Sequence, residues 1–282
     1  MNINWFPGHM KKTRELIQKN LKLVDIVYEV IDARIPVSSR NPEIDQLVQS
    51  KPRVIIMNKA DLASETGNAA WKRYFEKQGY PTLFMEQNKT KSVKKLIQVT
   101  EKAMGDKRAK QLEKGIVNRP IRIMIVGIPN AGKSTIINAL AKRKSTQTGN
   151  RPGVTKGKQW VKLANNLELL DTPGILWPKF EDEEVAKHLA FTGAIRDEIM
   201  DTETLALRLI ERLILIDPMY LEERYKVEVN VDNGLDTMEI IARKRGCIMK
   251  SREIDYTRIA HIILDEFRRA IIGRITLEFP EK

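Results

Sequence analysis

The sequence predicts an α/β fold, in which a three-layer domain with helices on both faces of a sheet is followed by a small all-helical domain. In the first part of the chain, six short apolar runs alternate with amphipathic helical patterns, which is typical of a sheet covered on both sides. Beyond residue 180, apolar residues recur at three- and four-residue spacing, which indicates helices. We therefore expect two domains, at residues 1–179 and 180–282.

The predicted elements follow from these patterns, and Pro and Gly mark their ends. Strands are predicted at residues 24–31, 54–57, 82–85, 121–126, 159–163 and 167–170. In the second domain, helices are predicted at residues 204–215, 221–225 and 256–272, with turns at Asp217-Pro218 and Asn233-Gly234. A basic helix or connector at residues 102–119 is expected to join the two halves of the first domain.

A glycine-containing loop follows the fourth predicted strand. Residues 127–134 have the sequence Gly-Ile-Pro-Asn-Ala-Gly-Lys-Ser, and a helical pattern follows them. A strand that runs through such a turn into a helix directs backbone N–H groups at an anion, so we call this segment the phosphate loop. Lys133 is expected to contact the β- and γ-phosphates of a nucleotide, and Ser134 to bind Mg²⁺. The other expected phosphate-binding residues are Asn130, Ala131, Gly132 and Thr135.

A second loop with an expected role at the γ-phosphate follows the sixth predicted strand, where residues 171–174 are Asp-Thr-Pro-Gly. At a strand end, the Asp171 carboxylate can hold Mg²⁺ through water, and the Gly174 N–H can contact the γ-phosphate. Residues 144–157 are polar, basic and too irregular for a helix or strand. They are expected to form a switch loop in which Thr155 contacts Mg²⁺ and the γ-phosphate. The two competing candidates are Thr146 and Thr148.

The tetrapeptide Asn58-Lys59-Ala60-Asp61, here called the base-binding motif, follows the second predicted strand, at a carboxyl end where ligands bind in open α/β sheets. Asp61 supplies two acceptors for the N1–H and 2-amino group of guanine, whereas adenine has an acceptor at N1. Rejection of such an unpaired buried group can be worth roughly 10⁴-fold or more. GTP rather than ATP is therefore the expected nucleotide.

One element of guanine binding departs from the usual pattern. Many GTPases have Ser-Ala after the next strand, and this chain has Glu-Gln-Asn at residues 86–88. The part that these residues play in base binding stays open, because a backbone N–H could still make the contact.

The order of the three motifs predicts a circular permutation. In ordinary GTPases the base-binding motif comes last, whereas here it precedes the phosphate loop, which precedes residues 171–174. The first domain is therefore predicted to be a circularly permuted P-loop GTPase domain. A P-loop kinase has little support, because such an enzyme would not use the base-binding motif.

Besides this motif order, the chain has Asn-Trp-Phe-Pro-Gly-His-Met at residues 4–10 and a tail of about a hundred residues. In these three features it resembles the RbgA (YlqF) family of bacterial ribosome-assembly GTPases. The resemblance implies a cytoplasmic factor that acts late in maturation of the large (50S) ribosomal subunit. It also implies that this particle stimulates GTP hydrolysis. The alternative is a regulatory GTPase switch with a protein or membrane partner.

The residue that positions the attacking water is not supplied by the usual motif. Ras-like GTPases have a glutamine after residues 171–174, and this chain has Ile175, whose apolar side chain cannot orient water. The family resemblance points to His9 instead, since an imidazole can hydrogen-bond a water. The alternative is that the amino terminus only anchors an arm and that His9 caps a helix. His188 and His261 lie in helical apolar patterns and are expected to be structural or surface residues.

Asn130 carries a second expectation from resemblance. In GTPases that use K⁺ in place of an arginine finger, an asparagine at this loop position is a ligand of K⁺, and the phosphate loop of this chain is similar to theirs. K⁺ stimulation is therefore predicted. The alternative is an amide that only stabilises the loop.

The charge distribution favours a polyanionic partner. The chain has 49 Lys and Arg against 37 Asp and Glu, and 33 of these basic residues against 15 acidic ones lie in residues 1–179. A single basic cluster is usually a solvated face, but several together favour contact with rRNA phosphates. The RNA-binding candidates are Lys11, Lys12, Arg14, Arg243, Lys244 and Arg245.

The remaining composition is consistent with a cytoplasmic protein, which we expect to be a monomer. Cys247 is the single cysteine, which excludes an internal disulfide and suits a reducing compartment. No signal peptide is expected, and the sequence has no apolar stretch of transmembrane length. The partners expected for the ribosomal interpretation do not include a membrane.

Overall fold

The computed structural model describes residues 15, 17–48, 51–85, 89–141, 160–163, 165–170, 182–195 and 201–281, with the backbone alone at residues 89 and 90. Within these ranges, the strands are β1 (Ile26–Asp32), β2 (Arg53–Asn58), β3 (Thr82–Met85), β4 (Ile121–Val126), β5 (Trp160–Leu163) and β6 (Leu167–Leu170). They form one sheet in the order β3-β2-β1-β4-β6-β5. All six predicted strands are confirmed, and β1 starts two residues later than predicted.

The pairing of β1 determines where the loops of the sheet meet. β1 pairs in parallel with β2 and with β4, so that Asp32 lies opposite Asn58 and Glu29 lies opposite Val126. Because the carboxyl ends of parallel strands meet at one edge of a sheet, the base-binding motif after β2 and the phosphate loop after β4 lie at the same edge. Antiparallel pairing occurs between β5 and β6.

The helices of the described residues are distributed as the sequence predicts, between the strands in the first part and in succession in the second. They are α1 (Ile44–Val48), α2 (Glu65–Lys77), α3 (Lys89–Ala103), α4 (Gly105–Glu113), α5 (Lys133–Leu140), α6 (Glu183–Phe191), α7 (Thr202–Ile216), α8 (Met219–Tyr225), α9 (Gly234–Lys244) and α10 (Tyr256–Arg268). The predicted all-helical second part is confirmed. Among the described residues, no helix combines the length and apolarity needed to cross a membrane.

Two of the predicted boundaries in the helical part are wrong. Asn233-Gly234 does not only turn the chain, because the Asn233 side chain accepts hydrogen bonds from the N–H groups of Leu235 and Asp236 and so caps the start of α9. The helix predicted at residues 256–272 ends at Arg268, since Ala270 has a left-handed backbone with φ of 55°. The helices α6 and α9 were also not predicted.

The hydrophobic core is continuous between the sheet and the helical part. One cluster of buried apolar side chains extends from Ile26 and Ile125 in the sheet to Leu189, Leu209 and Ile263 in the helices. Two smaller clusters cover other surfaces of the sheet, and the second of them includes Trp71 and Phe75 of α2. The helical part therefore packs against the first part through shared apolar contacts. The predicted boundary at residues 179 and 180 lies outside the described residues.

The C-terminal segment, residues 274–278, returns to the first part of the chain after α10. The Ile275 N–H donates to the Leu62 carbonyl at 3.2 Å, and the Leu277 N–H donates to the Arg34 carbonyl at 2.8 Å. The indole N–H of Trp71 donates to the Glu278 carbonyl at 2.7 Å. These hydrogen bonds hold the C-terminal segment against the loops after β1 and β2.

Glu278 is the main polar contact of this segment. Its carboxylate accepts from the Val37 N–H at 2.6 Å and from the Ser38 N–H at 3.1 Å, and it also contacts the Ser38 hydroxyl. On its other side, the carboxylate lies 2.8 Å from Nδ1 of His188 in α6. One carboxylate thus joins three separate segments of the chain.

We predict that Glu278→Ala lowers the free energy of unfolding by about 2–4 kcal/mol, because it leaves buried donors without an acceptor. Chemical denaturation of the full chain measures this change. Glu281→Ala, at an exposed position three residues later, is the matched control and should change stability by less than about 0.5 kcal/mol. Equal stability of the two variants would contradict the assignment of Glu278 as a structural contact.

Candidate nucleotide-binding site

The two central motifs line one cavity of about 450 Å³ at the carboxyl edge of the sheet. Eight of the residues expected to bind nucleotide line it, together with two apolar side chains. The lining residues are Asn58, Lys59, Asp61, Leu62, Met85, Asn130, Gly132, Lys133, Ser134 and Thr135. The cavity volume lies within the usual range for ligand sites.

A hydrogen bond joins the two motifs directly. The Asn58 side-chain amide, which is buried, donates to the carbonyl of Ala131 in the phosphate loop at 2.7 Å. Gly132 allows this approach, because its φ is 96° and an added Cβ would collide with the amide nitrogen of Asn58. Asn58 therefore supports the phosphate loop from within the base-binding motif.

Lys133 begins α5 and is held by the phosphate loop itself. Its ammonium donates to the carbonyls of Gly127 at 2.8 Å and Ile128 at 2.6 Å. Burial lowers the pKa of Lys133 from its ordinary value to about 8. A polyphosphate in the cavity would give this half-buried cation the anionic partner that it lacks among the described residues.

The base-binding motif places two charged side chains at the cavity. Lys59 has a left-handed backbone with φ of 58°, and its ammonium lies 2.9 Å from the carboxylate of Asp32. No described residue donates a hydrogen bond to the Asp61 carboxylate, which lines the cavity. Asp61 is therefore available as an acceptor for a ligand, whereas the position of Lys59 is fixed by the protein.

Asn130 has contacts that the sequence did not predict. Its amide nitrogen donates to the carbonyls of Gly193 at 3.2 Å and Ala194 at 3.4 Å, in the turn after α6. These contacts agree with the alternative of a stabilising amide. They leave the amide oxygen as a group that could hold a cation.

Several predicted site residues lie outside the described residues. These are His9, Lys11, Lys12, Arg14, Thr155, Asp171 and Gly174, together with the competing Thr146 and Thr148 and with residues 86–88. Of the other two histidines, His188 is buried against Ser38 and Glu278, and His261 is exposed, as expected. The basic residues Arg243, Lys244 and Arg245 are exposed at the end of α9.

Asp32 and Arg34 are residues of the site region that the sequence analysis did not select. Asp32 is buried at the end of β1 and holds Lys59, while Arg34 holds Asp32 through two N–H groups. The signal for Asp32 was its place at the carboxyl end of an apolar strand beside β2, where polar groups often serve a ligand site. No local signal marked Arg34.

Comparison with known proteins supports the interpretation of the cavity. A family model described as a 50S ribosome-binding GTPase matches residues 122–231. Ribosome biogenesis GTPase A of Bacillus licheniformis is 46% identical over 281 residues, which covers 100% of this chain and 99% of the relative. The chain belongs to the ribosome biogenesis GTPase A family.

Further members of the ribosome biogenesis GTPase A family match at lower identity over nearly the whole chain. The Thermotoga maritima protein of the same name is 33% identical, with 99% of this chain and 95% of the relative covered. The crystal structure of GNP-bound YlqF from T. maritima has a TM-score of 0.65 and 28% identity, and it covers 96% of this chain and 99% of that one. The GDP-bound YlqF structure has a TM-score of 0.68. The predicted circularly permuted GTPase fold is thus confirmed.

We predict that Gly132→Ala weakens GDP binding at least tenfold, because the substitution strains the backbone and displaces the Asn58 amide from Ala131. Equilibrium titration with a fluorescent GDP analogue measures the change. Gly79→Ala is the matched control, since Gly79 also has a left-handed φ of 82° but no atom lies within 4 Å of an added Cβ. The control should lose some stability and keep its affinity for GDP. Equal affinity of Gly132→Ala and wild type would contradict this role of Gly132.

We also predict that the affinity for GDP falls by up to about tenfold per pH unit as the pH rises above about 8. Above this pH, Lys133 of the nucleotide-free protein loses its proton, and with it the positive charge that attracts a phosphate. By the same shift, the unfolding free energy of the nucleotide-free protein should rise with pH from about 8 towards the ordinary lysine pKa of 10.5, since the unfolded chain binds the extra proton there.

GDP titrations between about pH 7 and pH 9 test this dependence. Lys133→Arg is the control, because a guanidinium stays charged throughout this range and the affinity should then vary little with pH. A wild-type affinity that is constant up to pH 9 would show that Lys133 does not control phosphate binding through its charge.

Proposed function

We propose that this chain binds and hydrolyses GTP and acts in the cytoplasm in late maturation of the large (50S) ribosomal subunit, where hydrolysis is coupled to its release. One observation carries the proposal: the base-binding motif and the phosphate loop share one cavity in a chain that is 46% identical to a ribosome biogenesis GTPase A over its full length. A regulatory switch with an unrelated protein or membrane partner has less support, since the family names concern the ribosome.

We propose the following roles for the described residues. Asp61 would bind the N1–H and 2-amino group of guanine, and Lys59 would lie along the base with its ammonium held by Asp32. At the other end of the cavity, Lys133 would exchange its two carbonyl partners for the β- and γ-phosphates. The N–H groups at the start of α5 would add to the attraction for these phosphates.

The site also fits Mg²⁺. The Ser134 hydroxyl is exposed at the start of α5 and lines the cavity, and oxygen ligands of this kind are those that Mg²⁺ prefers. Thr155 and Asp171 are proposed to complete the protein ligands, and Gly174 to contact the γ-phosphate. When bound there, Mg²⁺ would supply positive charge beside the phosphates of the nucleotide.

K⁺ is proposed as a second cation at Asn130. Its amide nitrogen is engaged by the Gly193 and Ala194 carbonyls, which fixes the orientation of the amide. A fixed amide oxygen is a better cation ligand than a rotating one, because less conformational entropy is lost on binding.

The proposed partner is the rRNA of a large-subunit particle, bound by a monomer of this chain. Lys11, Lys12 and Arg14 are candidates outside the described residues. In the helical part, Lys244 is exposed, while Arg243 pairs with Glu239 and Arg245 pairs with Glu266, both at 2.9 Å. The Arg243–Glu239 pair is exposed enough to be weak, so a phosphate could replace the Glu239 carboxylate.

We predict that His9→Ala binds GTP but loses about 10²-fold or more of the hydrolysis rate that large ribosomal subunits stimulate, because it removes the group proposed to position water. Turnover is measured with and without purified subunits in potassium buffer. His261→Ala is the matched control, since His261 is exposed in α10. Basal turnover of every variant should be slow, at roughly 10⁻⁴–10⁻² s⁻¹.

The same experiment separates the two parts of the proposal. If subunits accelerate both His9→Ala and wild type, then another group positions the water. If subunits accelerate neither protein, the ribosomal role is contradicted and a switch with another partner becomes the better explanation.

We predict that wild-type turnover is at least about tenfold faster in KCl than in NaCl, since a bound K⁺ would stabilise transition-state charge as an arginine finger does. Asn130→Ala should lose this difference, and Asn138→Ala, at an exposed position in α5, should keep it. Steady-state phosphate release at matched ionic strength measures both. Equal wild-type rates in the two salts would exclude the K⁺ site.

A further inference from the structure

The end of α6 presents a row of backbone carbonyls to side chains from distant parts of the chain. We call residues 190–194 the carbonyl turn. Arg268 of α10 donates to Ala190 and Phe191 at 2.9 and 3.0 Å, and Arg34 donates to Thr192 at 3.4 Å. The last carbonyls of a helix lack intrahelical partners and carry partial negative charge, so such donors are favoured there. The next two carbonyls, of Gly193 and Ala194, accept from Asn130 of the phosphate loop.

Arg34 connects this turn to the end of β1. Its side chain is 1% exposed, and its guanidinium donates to both carboxylate oxygens of Asp32, at 3.0 and 2.8 Å. The remaining nitrogen donates to the Arg268 carbonyl at 3.3 Å. Every nitrogen of the guanidinium therefore has an acceptor, and the acceptors belong to both parts of the chain.

Asp32 in turn holds Lys59. The oxygen Oδ2 accepts from Arg34 at 2.8 Å and from the Lys59 ammonium at 2.9 Å. Burial alone would raise the pKa of Asp32, but the charges of Arg34 and Lys59 hold it well below its ordinary value. Asp32 is thus an ionised carboxylate. Arg34 fixes its position, and Asp32 in turn fixes the position of the Lys59 ammonium.

We propose that Arg34 is a positioning residue for guanine nucleotide binding, and that the carbonyl turn connects both ends of the nucleotide cavity to the helical part. Arg34 orients Asp32, Asp32 orients Lys59 beside the base, and the same turn that accepts from Arg34 also accepts from Asn130 beside the phosphates. This inference rests on the base-binding role proposed above for Lys59.

The contact network has two consequences. Lys59 contacts the part of the nucleotide that does not change during hydrolysis, so loss of its support weakens GDP and GTP equally and raises KM with little change in kcat. Because coupling between two sites is reciprocal, a nucleotide that fixes Lys59 and Asn130 also steadies the carbonyl turn and the end of α10. The helical part then responds to occupancy of the cavity through backbone carbonyls.

Arg34→Lys tests the first consequence in the full chain. A lysine keeps the charge but supplies one ammonium in place of a planar fork, so it cannot hold Asp32 and two carbonyls together. We expect about tenfold weaker binding of both GDP and GTP, and a KM for GTP raised by the same factor. Arg53→Lys is the matched control, since Arg53 is also buried in an ion pair, with Glu29, but lies at the opposite end of β2. It should change GDP affinity by less than about twofold.

A double-mutant cycle shows whether Arg34 acts through Lys59. In a Lys59→Ala background, Arg34→Lys should cause no further loss of GDP affinity, whereas a general loss of stability would add its full effect. Asp32→Asn should weaken GDP binding as Arg34→Lys does, and it provides the same test if the Arg34 variant does not fold. If Lys59→Ala itself binds GDP as wild type does, the base-binding assignment fails, and this inference fails with it for that separate reason.

Hydrogen exchange at saturating GDP tests the second consequence. In wild type, GDP should slow amide exchange in residues 188–195 and 265–270, and in Arg34→Lys this protection should be lost although the cavity is filled. Equal protection in both proteins would overturn the connection to the helical part. GDP affinity of Arg34→Lys equal to that of Arg53→Lys, or an additive effect in the Lys59→Ala background, would overturn the positioning role.

Discussion

The nucleotide site depends on one constraint, the position of β1 between β2 and β4. In a permuted chain the base-binding motif and the phosphate loop belong to separate halves of the domain, with α2, β3, α3 and α4 between them. Parallel pairing of β1 with both strands brings the two loops to one edge, where Asn58 bonds to the Ala131 carbonyl across 73 residues of sequence. The site therefore depends on β1 lying between β2 and β4 in the sheet, and it does not depend on the order of the motifs along the chain.

Two sets of hydrogen bonds hold the helical part against this site. The C-terminal segment bonds to the loops after β1 and β2 through Ile275 and Leu277, and the carbonyl turn after α6 accepts from Arg34 and Asn130. A shared apolar core continues beneath these polar contacts. Because the contacts are made by the residues that line or support the cavity, the coupling proposed above requires no separate relay domain.

Local signals in the sequence predicted the strands, the phosphate loop and the base-binding motif, since each is a short run followed by turn residues with a specific chemistry. The same kind of signal failed at Asn233-Gly234, because an asparagine that turns the chain and an asparagine that caps a helix look alike without the following contacts. The role of Arg34 could not be predicted, since its partners Thr192 and Arg268 are 158 and 234 residues away. Glu278 was missed for the same reason.

The central claim is that the permuted motifs form one guanine-specific cavity, and nucleotide competition against Asp61→Asn tests it most directly. Xanthine has a carbonyl where guanine has its 2-amino group, so an amide at residue 61 can donate to it, whereas a carboxylate cannot. Displacement of a fluorescent GDP analogue should show that wild type prefers GTP to XTP and to ATP by at least about 10²-fold. In Asp61→Asn the order of GTP and XTP should be reversed. An unchanged preference for GTP in Asp61→Asn would contradict the assignment of this cavity to guanine.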